Sequence, residues 1–302
     1  MTVVALASAT LLDAVGHVPG ADLVVWDGTT PPDRADEVEL VVAPYSTAGL
    51  PDLAGLPRLK AVQIQSAGYD GMIAQLPPGV VLCNATGVHD DATAELALGL
   101  TIASLRGIDI AVRNVGHWER DLRRRSLADS HVLVLGYGSI GRAVATRMLA
   151  CRATVTGVAS RARPDDLLGE VHGPDVLPGL LPTVDVVVVV LPLTEATRHS
   201  VDDPFLAQLP DGALVVNVGR GPLLDTDAVL AHAGRLAFAL DVTDPEPLPE
   251  EHPLWRAPGV LITPHIAGGT TAMLPRMAAL ARDQVERFVA GRDLRNVVHR
   301  PA

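Results

Sequence analysis

The run His131-Val-Leu-Val-Leu-Gly-Tyr-Gly-Ser-Ile-Gly141 is the tightest constraint on the fold. An apolar stretch, 132–135, stops at Gly136, Gly138 and Gly141, and residues 142–150 then carry a helical pattern. The order strand, tight turn, helix gives each glycine its own task. The first makes the turn, the second lets a pyrophosphate approach the backbone, and the third lets helix pack on strand. The N–H groups of Ser139, Ile140 and Gly141 at the helix start then face the phosphates. The bare glycine pattern also occurs in ordinary loops. The flanking strand and helix favour a dinucleotide site over a Gly-rich turn in some other α/β protein.

Length and composition suit that reading. The 302 residues suffice for one large domain or two ordinary ones, and 48% are hydrophobic while only 3% are aromatic. A Val-, Leu- and Ala-rich interior is what buried parallel strands favour. A net charge of −11 without a long basic run argues against nucleic acid as a partner. Arg123-Arg124-Arg125 sits among acids and reads as a solvated face. Cys83 and Cys151 are 68 positions apart, with no metal or redox spacing, so reduced thiols and no metal site are expected. The N-terminus lacks the basic segment of a signal peptide, and the apolar run 186–191 is too short for a bilayer and stops at Pro192. The expectation is a soluble, cytoplasmic protein with no membrane partner.

Along the chain, strands are predicted at 3–5, 23–25, 40–43, 61–65 and 80–83, with helix-like or loop pieces such as 10–15 and the Pro-rich 30–33 between them. This is the signature of a small parallel α/β unit. Ser66-Ala-Gly-Tyr-Asp70 and Asn84-Ala-Thr-Gly87 follow strands, where open sheets place ligands. A long helix is predicted from Asp90 to about 106, with Asp90 or Asp91 as N-cap. It is apolar most of the way round, so burial between domains or subunits is expected, and it serves as a dimer element. After the glycine turn, strands are predicted at 153–159, 184–191, 213–218, 237–242 and 260–263, with helical pieces at 204–209 and 226–233. Together with the first, they make the six strands of a doubly wound sheet. A helix over 271–290 and a polar tail end the chain.

In such a sheet the end of the second strand meets the adenosine ribose, where an acid suits NAD and Arg suits a 2′-phosphate. The position for the acid, 18 residues beyond Gly141, is Ala159, followed by Ser160, Arg161 and Arg163; the first carboxylate is Asp165. A guanidinium at 161 can pair bidentately with phosphate. NADP is therefore favoured over NAD, with exposed loop charges as the plainer reading of both arginines.

Three later strand ends carry chemistry: Asn217-Val-Gly-Arg220, Asp241-Val-Thr-Asp-Pro-Glu246 and Thr263-Pro-His265. Reduction of a 2-oxo acid needs a cation for the carboxylate, a proton shuttle and a group that tunes it. Each residue alone has an ordinary reading: an Arg in a turn, a solvated Glu between prolines, a His satisfied by backbone.

Taken with Ser66-Ala-Gly-Tyr-Asp, Ala94-Glu-Leu-Ala, the glycine turn and Leu191-Pro-Leu-Thr-x-x-Thr-Arg198, these segments resemble the D-isomer-specific 2-hydroxyacid dehydrogenases. The likeness covers about residues 60–275, and the run from Asp241 to Pro253 is most similar to glyoxylate/hydroxypyruvate reductases. It implies two α/β domains: a Rossmann dinucleotide-binding domain over 94–274, inserted in a smaller flavodoxin-like parallel substrate domain formed by 1–93 and 275–302. The active site is expected in the cleft between them. His265 would be the general acid/base. Glu246 would pair with it and raise its pKa, and Arg220 would bind the carboxylate and polarise the carbonyl. N–H groups around Ala67 and Gly68 would complete the carboxylate site. Asp241 would hold the nicotinamide carboxamide, and Leu191, Pro192, Val218 and Gly219 would line the cofactor cleft.

Two departures from the family pattern stand out: the acid at the end of the second strand is missing, and the segment 224–240 is slightly short. No serine-feedback domain is expected. Glyoxylate or hydroxypyruvate is the favoured substrate, then an aliphatic or aromatic 2-oxo acid, in a homodimer. The rivals are a dinucleotide-sensing corepressor-like protein, disfavoured by the intact Arg220, Glu246 and His265, and a 3-phosphoglycerate dehydrogenase, disfavoured by loops 44–51 and 66–72 that offer no cation.

Overall fold

The computed structural model describes residues 1–32, 34–45, 49–118, 120 and 124–301. Residues 46–48 of the loop 44–51, Asp33 of the Pro-rich piece and Arg123 of the Arg triplet lie outside them. The chain forms two compact units, Met1–His89 with Thr270–Ala302, and Asp90–Gly269.

The first unit begins with β1 (Thr2–Leu6), α1 (Ala9–Val15), β2 (Ala21–Val25), β3 (Val38–Val42), β4 (Ala61–Gln63) and β5 (Val81–Cys83). Its parallel strands run in the order β2-β1-β3-β4-β5, a doubly wound arrangement that reverses direction between β1 and β3. Val3, Val4, Ala5 and Leu6 are all at most 1% exposed, so the strand is buried on both faces and needs apolar residues without alternation. Ser8 starts α1 by accepting from Leu11 N–H at 3.1 Å.

The second unit opens with α2 (Asp90–Arg106) and α3 (Ile108–Arg113). Then come β6 (His131–Leu135), α4 (Ser139–Ala150), β7 (Thr154–Val158), β8 (Arg163–Asp165), β9 (Gly169–Val171), α5 (Leu177–Leu180) and β10 (Val186–Val189). It closes with α6 (Asp203–Ala207), β11 (Leu214–Asn217), α7 (Thr226–His232), β12 (Ala237–Leu240) and β13 (Val260–Ile262). Six parallel strands run β13-β12-β11-β10-β6-β7. Beyond β7 only a single parallel bridge, Val158 to His172, continues the sheet, beside the antiparallel β8–β9 hairpin. The four valines of β10 are fully buried at its centre.

The chain then returns to the first unit with α8 (Met273–Val289) and β14 (Val297–His299). The polar tail is thus a strand, antiparallel to β5 at the sheet edge. Its anchor is Gln284, which accepts from Arg295 N–H at 2.8 Å and donates to the buried Gln63 at 2.7 Å. Pairing across more than 200 residues leaves no local pattern to read.

Asp90 and Asp91 lie in the first turn of α2, where carboxylates suit the helix dipole, and Asp91 pairs with Arg147 of α4 at 2.8 Å. The helix buries one side, including Ala94, Ala97, Leu100 and Leu105, but Leu96, Leu98 and Ile102 stay half-exposed. Arg125 is no solvated charge: it donates to Asp185 at 2.7 Å and to the Gly212 carbonyl. Among the described residues no helix is long and apolar enough to cross a membrane.

Candidate active site

The parallel order of the second unit lines its strand ends along one edge. His265 follows β13, Asp241 and Glu246 follow β12, Arg220 follows β11, Leu191 and Pro192 follow β10, the glycine turn follows β6, and Ser160 and Arg161 follow β7. With strands about 4.8 Å apart, the edge spans roughly 24 Å. Residues that look scattered in sequence fall into a row, with the candidate chemistry at one end.

At that end Asp241 organises the backbone. It is 1% exposed; Oδ1 accepts from Thr263 Oγ1 at 2.6 Å and Ile266 N–H at 3.0 Å, and Oδ2 accepts from Ala267 N–H at 3.0 Å. Its carbonyl takes the His265 N–H at 2.7 Å. One buried carboxylate thus folds 263–267 around His265, whose φ of 51° lies in the left-handed region. A side chain rarely tolerates that backbone unless its surroundings over-determine it.

His265 Nδ1 sits 2.5 Å from Glu246 Oε1. An ionised carboxylate only accepts, so Nδ1 carries the proton and Nε2 is the nitrogen left for exchange. The two side chains are 24% and 36% exposed, so the pair is reachable. Glu246 lies between two cis bonds, Asp244–Pro245 and Glu246–Pro247, in a segment tied by Thr243 Oγ1 to the Pro245 carbonyl and Thr226 Oγ1 to the Asp244 carbonyl, both at 2.9 Å.

Arg220 is placed by Asn217, which is fully buried. Its Nδ2 donates to the Arg220 carbonyl at 2.9 Å and its Oδ1 accepts from Gly219 N–H at 3.0 Å. Gly221 then lies so close to the next strand end that a Cβ would come within 1.8 Å of the Thr243 carbonyl oxygen. The Arg220 turn and the Glu246 segment are thereby locked together. Asn217, Thr243 and Thr263 stand in the three segments read from the sequence but were given no role there; a polar residue at a strand end beside a Gly-Arg or Pro-His step was their signal.

The glycine turn meets the geometry its pattern implies. Gly136, with φ of 107°, packs against Val190, and a Cβ on Gly141 would fall 2.3 Å from the Gly136 carbonyl oxygen. A Cβ on Gly138 would meet nothing within 4 Å. That open cradle adjoins the first turn of α4, where the N–H groups of Ser139, Ile140 and Gly141 have no intrahelical acceptor. These residues fit a dinucleotide pyrophosphate. Gly219 abuts the Leu191 carbonyl, joining the ends of β10 and β11, while Val218 is buried and Pro192 exposed.

At the far end Ser160 and Arg161 are exposed, and Arg161 makes no hydrogen bond or ion pair with a described residue. Arg163 is committed: its guanidinium donates to the Tyr137 carbonyl at 2.7 Å and stacks 5.9 Å above that ring. The Tyr137 hydroxyl donates to Asp165 at 3.0 Å, and burial together with that carboxylate pushes its pKa up to about 12. Burial alone would raise Asp165, but the Leu168 and Leu167 N–H groups, the Tyr137 hydroxyl and Arg142 hold it below the usual carboxylate range. Asp165 is therefore engaged elsewhere and does not stand in for the missing ribose acid.

In the first unit, Ala67 and Gly68 follow β4. Their carbonyls accept from Asn84 Nδ2 and Ser66 Oγ, both at 2.6 Å, and their N–H groups donate to no described residue.

Known proteins agree with this layout. A family model, D-isomer specific 2-hydroxyacid dehydrogenase, NAD binding domain, matches residues 98–267. A glyoxylate reductase of Aeropyrum pernix is 31% identical over 92% of this chain and 90% of its own. A D-isomer specific 2-hydroxyacid dehydrogenase of Xanthobacter autotrophicus Py2, solved with NADPH and MES, is 30% identical with a TM-score of 0.83, over 99% of this chain and 98% of that one. An NADPH-dependent glyoxylate/hydroxypyruvate reductase of Sinorhizobium meliloti, solved with NADP and sulfate, is 26% identical with a TM-score of 0.83 over the same shares. The chain belongs to the D-isomer-specific 2-hydroxyacid dehydrogenase family. It is an NAD(P)-dependent oxidoreductase of small hydroxy acids, built as a Rossmann unit and a second parallel α/β unit.

Proposed function

We propose that the chain reduces glyoxylate or hydroxypyruvate to the 2-hydroxy acid with NADPH. The observation that carries this is the 2.5 Å contact of His265 with Glu246 on a turn shaped by buried Asp241. The reduced nicotinamide, when bound, supplies the hydride. His265 Nε2 delivers the proton to the carbonyl oxygen, while Glu246 keeps the ring in the tautomer that leaves Nε2 in play. Arg220 holds the carboxylate and stabilises charge developing on the carbonyl oxygen. Ala67 and Gly68 of the other unit are read as a carboxylate subsite, through backbone N–H groups that donate to no described residue. Asp241 accepts three bonds already and has one lone-pair site left for the carboxamide.

Leu191, Pro192, Val218 and Gly219 line the nicotinamide side, and the N–H groups of Ser139 to Gly141 take the pyrophosphate. Ser160 and Arg161 are read as the 2′-phosphate site because Arg161 has no competing partner. The unit around the glycine turn is the cofactor domain and the other the substrate domain. The long helix α2 is read as the dimer element, and the exposed apolar residues that follow it, Ile108, Val112, Val115 and Trp118 at 47, 67, 84 and 99% exposure, are surface that a homodimer would cover. The free thiols Cys83 and Cys151 suit the cytoplasm.

The deciding experiment is reduction of a panel of 2-oxo acids with NADPH and NADH side by side. The expected result is the highest kcat/KM for glyoxylate or hydroxypyruvate with NADPH. A preference for branched or aromatic 2-oxo acids would overturn the substrate, and absence of turnover with every acid would favour a dinucleotide sensor.

A further inference from the structure

Five consecutive carbonyl oxygens, Ile64 to Gly68, are each met by a donor inside the first unit. Gln63 Nε2 donates to Ile64 at 2.7 Å, His89 Nε2 to Gln65 at 2.6 Å and Ala85 N–H to Ser66 at 2.9 Å. Asn84 Nδ2 donates to Ala67 and Ser66 Oγ to Gly68, both at 2.6 Å. In a planar trans peptide, one residue's C=O and the next residue's N–H point in opposite directions. Donors behind the loop therefore aim its N–H groups away from themselves. Ala85 turns out the N–H of Ala67, and Asn84 turns out that of Gly68. Backbone N–H groups presented side by side form an anion-binding concavity.

Two of these donors are side chains that packing alone does not explain. Asn84 is 5% exposed, and its Oδ1 accepts from Thr86 N–H at 3.2 Å and Thr86 Oγ1 at 2.8 Å. Those two donors fix the amide so that Nδ2 must face Ala67. His89 is 6% exposed, and a carbonyl can only accept, so its proton sits on Nε2. Its buried Nδ1 has no partner. A leucine would fill the space without burying a lone pair, so the bond to Gln65 is what the imidazole contributes.

We propose that Asn84 and His89 are positioning residues for the carboxylate of the 2-oxo acid, holding the 65–68 backbone so that its N–H groups face the anion. This rests on the reading of Ala67 and Gly68 as the carboxylate subsite. The test is steady-state kinetics of the full chain carrying Asn84→Asp, His89→Leu, His89→Gln or Ala67→Pro, with melting curves for each. Asn84→Asp keeps the acceptor for Thr86 but sets an oxygen against the Ala67 carbonyl. Asn84→Asp and His89→Leu should each raise KM for glyoxylate about tenfold, the size of one lost hydrogen bond to a charge. Their kcat and KM for NADPH should stay within about twofold, as expected when ground state and transition state lose the same contact. His89→Gln, which can donate to the same carbonyl, should recover KM.

If Asn84→Asp does not fold, the Leu and Gln variants of His89 decide. Folded variants of Asn84 and His89 with unchanged KM would overturn the positioning role while Ala67→Pro still raised it. An unchanged KM in Ala67→Pro itself would remove the subsite reading and this inference with it.

Discussion

Two turns on the same sheet edge, 263–267 after β13 and 159–163 after β7, are built in opposite ways. In the first, buried Asp241 accepts three bonds and His265 is pinned by backbone and by Glu246. In the second, Ser160 and Arg161 lie in solvent, and the nearest carboxylate and the second arginine are spent on Tyr137. The difference suits the role proposed for each. A proton donor has to be within hydrogen-bond reach at the right angle, so its backbone is over-determined. A phosphate can be held by a long, exposed guanidinium at several geometries, so that end needs charge more than rigidity. The chemical end should therefore break sharply under mutation and the adenosine end by degrees.

The largest effect is expected for His265→Gln, which should lower kcat by at least roughly 100-fold, the usual scale of general acid/base help. A near-normal kcat in stopped-flow or steady-state assays would remove His265 from its role. Arg220→Ala comes next, with kcat down and KM for the 2-oxo acid up together, because in the proposed role the same guanidinium serves both ground and transition states; loss of neither would take it out of the site.

At the other end, Arg161→Asp should shift the NADPH-to-NADH ratio of kcat/KM toward NADH by about ten- to 100-fold, the value of a charge-assisted bond. It should do so without moving kcat at saturating cofactor. An unchanged ratio would place the 2′-phosphate elsewhere. The smallest effect is on stability. The Tyr137 pKa lies near 12 in the fold against 10 for the free side chain, so the folded state holds this proton more tightly. That contribution is complete below pH 10 and is lost as pH rises toward 12. Tyr137→Phe should cost about 1 kcal/mol near neutrality and flatten the alkaline loss measured by chemical denaturation. An alkaline profile identical to the parent chain would mean that Tyr137 is not the group titrating.

Much of this was legible in the sequence because it is local. Val132 to Leu135 followed by three glycines specifies strand, turn and helix within a dozen residues, and the fully buried valines of β10 require a sheet covered on both faces. Arg220, Glu246 and His265 could be nominated because each ends a predicted strand. The tertiary structure decided which polar groups are already spoken for. Arg161 and Arg163 are two positions apart and equal on paper, yet only the second reaches Tyr137. Arg125 looked solvated until Asp185, 60 residues on, met it, and β14 pairs with β5 across the length of the chain. The carbonyls of Gln65, Ser66 and Ala67 are held from behind by His89, Ala85 and Asn84, 17 to 24 residues on. Hydrophobic period is written in neighbouring residues, but a hydrogen-bond partner is chosen by strand order, which brings distant residues to one edge.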